Sequence, residues 1–192
     1  MSTIRPWREL DTELLLDCRV FDVERSRVLS PFDGSPHEFY RVRNADWVQI
    51  VPVTADDELV MIRQYRHGSQ TTVLEIPGGI VDPGESPAVA AARECREETG
   101  FVADTLVPLT SLNPNPAIHT SALHSFIARN VVRVGEIQNT GTEQTEVVLM
   151  PVADLPGLLR SGGVDHALVV ATLWRYLFDR NCGTSMPAES GR

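Results

Sequence analysis

The feature that most constrains this 192-residue chain is a cluster of three glutamates in one short stretch that can form a helix. Glu94, Glu97 and Glu98 are spaced i, i+3 and i+4, so a helix would carry all three carboxylates on one face. Ser86 is a suitable N-cap for that helix, and Gly100 a suitable C-terminal stop. Because like charges this close repel one another, the cluster indicates either a solvated acidic surface or a site that holds a cation.

Two neighbouring features favour the cation site. Glu85 precedes Arg93 by eight residues, and an ion pair between them would lock the loop before the helix against the helix. The pair Gly78 and Gly79 allows the backbone to approach a small ligand closely. Clustered oxygen ligands without histidine or thiolate suit a hard dication such as Mg²⁺, with Mn²⁺ as a substitute. Such an ion binds phosphates and activates water.

Composition limits the classes of partner. The chain has 17 Lys and Arg against 26 Asp and Glu, a formal net charge of −9, which argues against a general binder of nucleic acid or of anionic membranes. The sequence contains no apolar run close to the roughly 18 residues of a membrane span. The three cysteines, Cys18, Cys95 and Cys182, are far apart and odd in number. These observations predict a cytoplasmic protein without a disulfide framework.

The order of the sequence patterns predicts a mixed α+β fold. Strand-like patterns precede the glutamate helix and resume after it, and two helical patterns close the chain. The expected strands lie at 12–30, 37–43, 47–54, 59–65, 71–76, 102–112, 121–129 and 145–152, with 47–54 and 59–65 forming a hairpin. The expected later helices lie at 154–160 and 166–180. We expect a β arm over 1–45, a domain over 46–182 and a disordered tail over 183–192.

The whole segment 79–101 resembles the Nudix box. Nine specified positions match at fixed spacing over its 23 residues: Gly79, Glu85, Arg93, Glu94, Cys95, Glu97, Glu98, Gly100 and Phe101. The resemblance implies a Nudix hydrolase, an enzyme with an α/β/α sandwich fold and a mixed β-sheet. Such enzymes cleave a nucleoside diphosphate that is linked to another group.

The flanking segments resemble the subgroup that hydrolyses ADP-ribose and other nucleoside diphosphate sugars. The run RQYR ends at Arg66, LEIPGG follows over 74–79, and Pro116 stands fifteen residues after Phe101. The resemblance implies cleavage of a small nucleotide sugar to a nucleoside monophosphate and a sugar phosphate. It also implies a homodimer in which the N-terminal β arm is the dimerisation element. The alternatives are another substrate such as GDP-mannose, or a nucleotide sensor with little turnover.

The resemblance also implies metal ligands on the helix. Glu94 and Glu98 would be the principal ligands, Glu97 would be an additional ligand with a catalytic role, and the Gly78 carbonyl would complete the site. Four other residues of the box would be structural: Gly79, Glu85, Arg93 and Gly100.

Outside the box, the resemblance implies three further roles. Arg66 would either pair with the diphosphate, because a guanidinium can bind phosphate oxygens bidentately, or form a salt bridge at the end of its strand. Glu75 would either position a metal-bound water or a ribose hydroxyl, or be a structural residue at a strand end. Glu143, in an acidic stretch before the strand at 145–152, is the first candidate for the general base, and Glu146 is the second. Trp47 is either a stacking surface for the nucleobase or a strand residue of the core or of the dimer interface.

Overall fold

The computed structural model describes residues 3–139 and 143–182. The chain divides into two compact units: Met1–Asp46 with Asn113–Ala122, and Trp47–Leu112 with Leu123–Arg192. The tail expected at 183–192 lies outside the described residues. Among the helices that the structure describes, none combines the length and the apolar character that a membrane crossing requires.

The first unit contains one antiparallel sheet of three strands, β1 (Arg8–Cys18), β2 (Phe21–Leu29) and β3 (Pro36–Arg43), in the order β1-β2-β3. The single strand-like stretch expected at 12–30 is therefore wrong in detail, because the chain reverses between β1 and β2. Arg19 adopts a positive φ of 35° in this turn. The connecting segment 113–122 joins the unit through a hydrogen bond from the Val42 amide to the Ile118 carbonyl (2.8 Å).

The second unit contains nine strands and three helices within the described residues. They are β4 (Trp47–Val53), β5 (Glu58–Arg66), β6 (Thr71–Glu75), β7 (Gly78–Ile80), α1 (Pro87–Thr99), β8 (Phe101–Val102), β9 (Leu106–Leu112), β10 (Leu123–Arg129), β11 (Val132–Arg133), β12 (Thr145–Pro151), α2 (Leu155–Arg160) and α3 (Ala167–Cys182). The main sheet runs β12-β5-β4-β10-β9, with β6 paired to β5 and β7 paired to β4. The β4–β10 pair is parallel and the other pairs are antiparallel, so the sheet is mixed, as predicted.

Alternation along β4 produces two cores, one on each face of the sheet. Val48 and Ile50 belong to the core that contains Ala91 and Cys95 of α1. Val51, on the opposite face, belongs to the core that contains the buried residues of α3. The second unit is therefore an α/β/α sandwich, which confirms the fold that the box resemblance implies.

The local signals around α1 act as the sequence predicts. The Ser86 side chain accepts a hydrogen bond from the Val89 amide (3.4 Å), and Pro87 stands in the first turn. Gly100 ends the helix in the left-handed conformation (φ 73°), and its amide donates to the Arg96 carbonyl (2.8 Å). A residue with a side chain would be strained in this conformation.

The expected hairpin of β4 and β5 forms only at its closed end, where Val53 pairs with Leu59. Beyond that point β4 pairs with β7 and β10, while β5 pairs with β6 and β12. The two strands diverge because each finds other partners that are distant in sequence. Leu168 is half-buried at the start of α3 and lines a cavity.

Candidate active site

A cavity of about 1050 Å³ lies in the second unit, between β5, β6, β7, α1 and the start of α3. Eight of the residues to which the sequence assigns a role line this cavity: Arg66, Glu75, Gly78, Gly79, Arg93, Glu94, Glu97 and Glu143. Glu85, Glu98, Gly100 and Glu146 do not line it. The eight lining residues come from segments up to 77 residues apart, as from Arg66 to Glu143. The fold therefore gathers them at one place.

Arg93 ties the loop before α1 to the acidic face of the helix. Its guanidinium donates to both carboxylate oxygens of Glu85 (3.1 and 3.0 Å) and to the Ile80 carbonyl (3.0 Å). It also donates to Glu94 (2.8 Å) and Glu97 (3.3 Å). The hydrogen bonds that Arg93 donates to Glu85 and Glu94, and the charges of these two carboxylates, raise the pKa of Arg93 further above its already high value. Arg93 thus fixes the loop and partly neutralises two of the three clustered carboxylates.

Glu98 is buried, only 4% exposed, and is not among the residues that line the cavity. Its Oε2 accepts a hydrogen bond from the Gly78 amide of β7 (2.8 Å). Burial raises the pKa of Glu98 to about 8; the Gly78 hydrogen bond opposes this shift, whereas the negative charges of Glu94 and Glu143 add to it. Burial also raises the pKa of Glu94, despite its contact with Arg93. The site therefore has a surplus of negative charge that favours either protons or a cation.

The donor set fits a hard dication. The carboxylates of Glu94, Glu97 and Glu98 are all on α1, and Gly79 leaves room beside them, since a Cβ at Gly79 would collide with the Glu94 carboxylate. In this conformation no three acidic, histidine or cysteine side chains of the described residues converge on one point. Glu94 and Glu97 are turned toward Arg93, and Glu98 toward Gly78. A bound cation would compete with these contacts for the same oxygens.

Arg66 and Glu75 form an ion pair on the neighbouring strands β5 and β6. Glu75 is 2% exposed and accepts a fork of hydrogen bonds from Nε and Nη2 of Arg66. His166 approaches the same carboxylate, with Nδ1 2.9 Å from Oε1. Burial alone would raise the pKa of Glu75, but the hydrogen bonds from His166 and Arg66 outweigh it and lower this pKa. Glu75 is therefore an ionised group that holds Arg66 at the cavity wall.

The two candidates for the general base occupy different places. Glu143 lines the main cavity, and its charge acts on Glu94 and Glu98. Glu146, on β12, pairs with Arg63 (3.1 Å) and lines only a smaller cavity of about 620 Å³. The structure thus places Glu143, and not Glu146, with the carboxylates of α1. Residues 141 and 142 of the same acidic stretch lie outside the described residues.

His166 and Gln64 are among the residues that line the main cavity and that had no role assigned from the sequence. His166 stands 91 residues from Glu75, and nothing in its local sequence indicates their contact. Gln64 is 7% exposed, and its Oε1 has no hydrogen-bond partner among the residues that the structure describes. The available signal for Gln64 was its place in the run RQYR, between two arginines that flank the cavities. Trp47, for which the sequence allows either a stacking or a structural role, also lines the main cavity.

Comparisons with known proteins identify the family of this chain. The model of the NUDIX domain matches residues 43–173. The chain is 32% identical over 167 residues to the ADP compounds hydrolase NudE of Escherichia coli, covering 86% of this chain and 88% of the relative. It is 29% identical to the ADP-ribose pyrophosphatase of Bacillus subtilis, covering 81% and 84% of the two chains.

A solved structure has the same fold. The crystal structure of an ADP compounds hydrolase superposes with a TM-score of 0.83 at 28% sequence identity, covering 95% of this chain and 99% of that chain. The family match extends over more than half of the chain and includes the whole of α1 and of β7 with its two glycines. The chain therefore belongs to the Nudix family.

Proposed function

We propose that this protein hydrolyses the diphosphate bond of ADP-ribose or a related nucleoside diphosphate sugar, giving a nucleoside monophosphate and a sugar phosphate. One observation carries the proposal: Glu94 and Glu97 of α1, Arg66 of β5 and Glu143 line a single cavity. Relatives named as hydrolases of ADP compounds and of ADP-ribose, similar over most of their length, support the substrate class.

Glu94, Glu97, Glu98 and the Gly78 carbonyl would hold Mg²⁺, or Mn²⁺ in its place. When bound, the metal supplies positive charge for the diphosphate and a water of lowered pKa. The raised pKa of Glu98 and of Glu94 supports this assignment, because each carboxylate lies where a positive charge would stabilise its ionised form.

The side chains of the cavity would do the remaining work. Arg66 uses Nε and Nη2 to bind Glu75, which leaves the Nη1 end of its guanidinium for a phosphate oxygen. Glu143 would act as the general base that takes a proton from the attacking water. The water oxygen then bonds to one phosphorus, and the bond from that phosphorus to the bridging oxygen breaks. The second phosphate leaves with the bridging oxygen.

The alternatives are a different nucleotide sugar, such as GDP-mannose, and a sensor with little turnover. Every specified position of the box is present, which favours turnover. Chromatography of the products from a panel of substrates distinguishes these functions. The panel, each member with Mg²⁺, contains ADP-ribose, GDP-mannose, UDP-glucose, NADH, diadenosine polyphosphates and dNTPs. We expect ADP-ribose to yield AMP and ribose 5-phosphate. Preference for another sugar would change only the specificity, and binding of ADP-ribose without cleavage would favour the sensor.

Metal dependence is tested with the same assay. We expect EDTA to abolish turnover and added Mg²⁺ or Mn²⁺ to restore it. Turnover that persists after exhaustive chelation would contradict the assignment of the α1 carboxylates to a metal.

We also propose that the protein is a homodimer, with residues 1–45 as the dimerisation element. Leu10, Leu14 and Leu16 of β1 are each about half exposed, and a second copy of the chain would bury them. Light scattering of the wild-type protein and of the double variant Leu14→Glu/Leu16→Glu tests this. We expect the mass of two chains for the wild type and of one chain for the variant.

A cytoplasmic location is a further part of the proposal. Cys18, Cys95 and Cys182 are all unpaired, as a reducing compartment would keep them. Fractionation of cells that express the tagged chain tests the location.

A further inference from the structure

Glu75 is an acidic residue of the cavity wall whose carboxylate accepts several hydrogen bonds. Its carboxylate is buried, and both of its oxygens accept hydrogen bonds, from Arg66 on β5 and from His166 next to α3. A carboxylate in this setting loses much of its stabilisation if one donor is removed, because water cannot easily replace that donor. Both partners therefore determine where the carboxylate, and the guanidinium attached to it, can lie.

His166 is itself held firmly. Its backbone carbonyl accepts a hydrogen bond from the Val170 amide (2.9 Å) in the first turn of α3. The next turns of α3 are anchored in the core by Val169 and Leu173, both fully buried. The imidazole thus belongs to the residue directly before a helix that is anchored in the core, whereas Arg66 stands at the end of a strand.

The chemistry of the contact sets the tautomer of His166. An ionised carboxylate has no proton to donate, so Nδ1 must be the nitrogen that carries the hydrogen. Arg66, which has only donors, can likewise meet Glu75 only as a donor. Glu75 thus joins two donors, both of which line the cavity.

We propose that His166 is a positioning residue for substrate binding: by donating Nδ1–H to Glu75, it holds the carboxylate and thereby orients the Arg66 guanidinium toward the diphosphate. The orientation of Arg66 toward the diphosphate rests on the proposed function. The hydrogen bond from His166 to Glu75 concerns only the geometry of the three side chains and can be tested without a substrate.

The tautomer is tested by a two-bond ¹H–¹⁵N correlation spectrum of the imidazole nitrogens, assigned with His166→Asn. We expect the Nδ1–H form in the wild-type protein. In Glu75→Gln the amide must give its oxygen to Arg66, which leaves its NH₂ group for His166. We therefore expect the tautomer to change to Nε2–H in that variant. The Nε2–H form in the wild type would overturn the inference, whatever the enzymatic activity.

The kinetic test compares three substitutions. Asparagine places its amide nitrogen where Nδ1 stands, glutamine extends too far, and alanine removes the donor. Loss of a hydrogen bond to a charged group corresponds to about tenfold or more in affinity. We expect His166→Ala and His166→Gln to raise KM for ADP-ribose about tenfold with a smaller change in kcat, and His166→Asn to recover most of this loss.

Thermal melting of each variant, with His124→Asn of β10 as a control away from the cavity, separates positioning from folding. An unchanged KM in a folded His166→Ala would overturn the inference, as would an asparagine variant as impaired as alanine. If the wild-type protein cleaves no nucleotide sugar, the proposed function fails together with the substrate-binding step. The tautomer measurement still decides the geometric step in that case.

Discussion

The Gly78 amide and the Glu98 carboxylate, twenty residues apart in the chain, are joined by a hydrogen bond of 2.8 Å. This contact ties β7, which begins with Gly78 and Gly79, to the most buried carboxylate of α1. A side chain at Gly78 would collide with the Val48 carbonyl, so the close approach of β7 to β4 depends on glycine. In the proposed metal site, the Gly78 carbonyl and the Glu98 carboxylate would both bind the cation.

Glu98→Gln should abolish most of the turnover and keep the fold. Glutamine can still accept the Gly78 hydrogen bond, and burial, which raises the pKa of Glu98 to about 8, favours a neutral side chain there. By analogy with the loss of one electrostatic transition-state contact, we expect kcat to fall by about 10²–10³. Turnover of ADP-ribose and thermal melting measure the two effects. Glu136→Gln, which changes an exposed glutamate, is the matched control; full turnover in Glu98→Gln would contradict its role.

Arg66→Ala should raise KM for a nucleotide sugar by about ten- to a hundredfold, because a charge-assisted contact of the guanidinium to phosphate is lost. Arg66→Lys should recover little, since an ammonium cannot reproduce the fork with Glu75. Arg63→Ala is the control, because Arg63 is on the same strand and pairs instead with Glu146. Equal effects of the Arg63 and Arg66 variants on KM would argue that both act only through the net charge of the surface.

Arg93→Ala should destabilise the protein by about 2 kcal/mol, because several hydrogen bonds between charged groups are lost and like charges are left together. For a protein of this size the midpoint of thermal unfolding would fall by about 4–8 °C. Arg133→Ala removes a surface pair with Glu136 and should change the midpoint little. Melting curves of both variants, recorded without added metal, test this; an equal shift in both would exclude a special role for Arg93.

Glu75 should make the stability of the protein depend on pH in acid. Its pKa is lowered in the folded state from an ordinary value of 4.5, so its contribution is present above pH 4.5. The contribution should disappear as the pH falls below 4.5 through the folded-state pKa. Urea unfolding of wild type and Glu75→Gln between pH 7 and pH 3 measures it. We expect the difference in unfolding free energy to shrink toward low pH; a difference that grows would reverse the sign assigned to the shift.

Gly79→Ala should impair catalysis through the position of Glu94. A Cβ at this place would overlap the Glu94 carboxylate, so the glutamate must move away from its contact with Arg93. We expect a loss of turnover of at least about tenfold, with a higher Mg²⁺ concentration needed for half-maximal activity. Gly135→Ala, where a Cβ would meet no atom and which lies outside the cavity lining, is the matched control. Unchanged metal dependence in Gly79→Ala would separate this glycine from the metal site.

The sequence by itself determined the features whose causes are local. The caps of α1 follow from the preferences of Ser86 and Gly100, and the common face of its glutamates follows from the helical period. The contact between Glu85 and Arg93 spans eight residues and lies within the same motif. The family and its fold also follow from this segment, because its nine matched positions are specific.

Only the tertiary structure decided which distant residues share the cavity. β4 exchanges its expected hairpin partner for β7 and β10, and strand pairing of this kind depends on contacts far apart in the chain. The same holds for Glu143, which reaches the cavity while Glu146 turns to Arg63, and for His166, which meets Glu75 across 91 residues. No local sequence pattern predicts these contacts, because each depends on how the strands and α3 pack together.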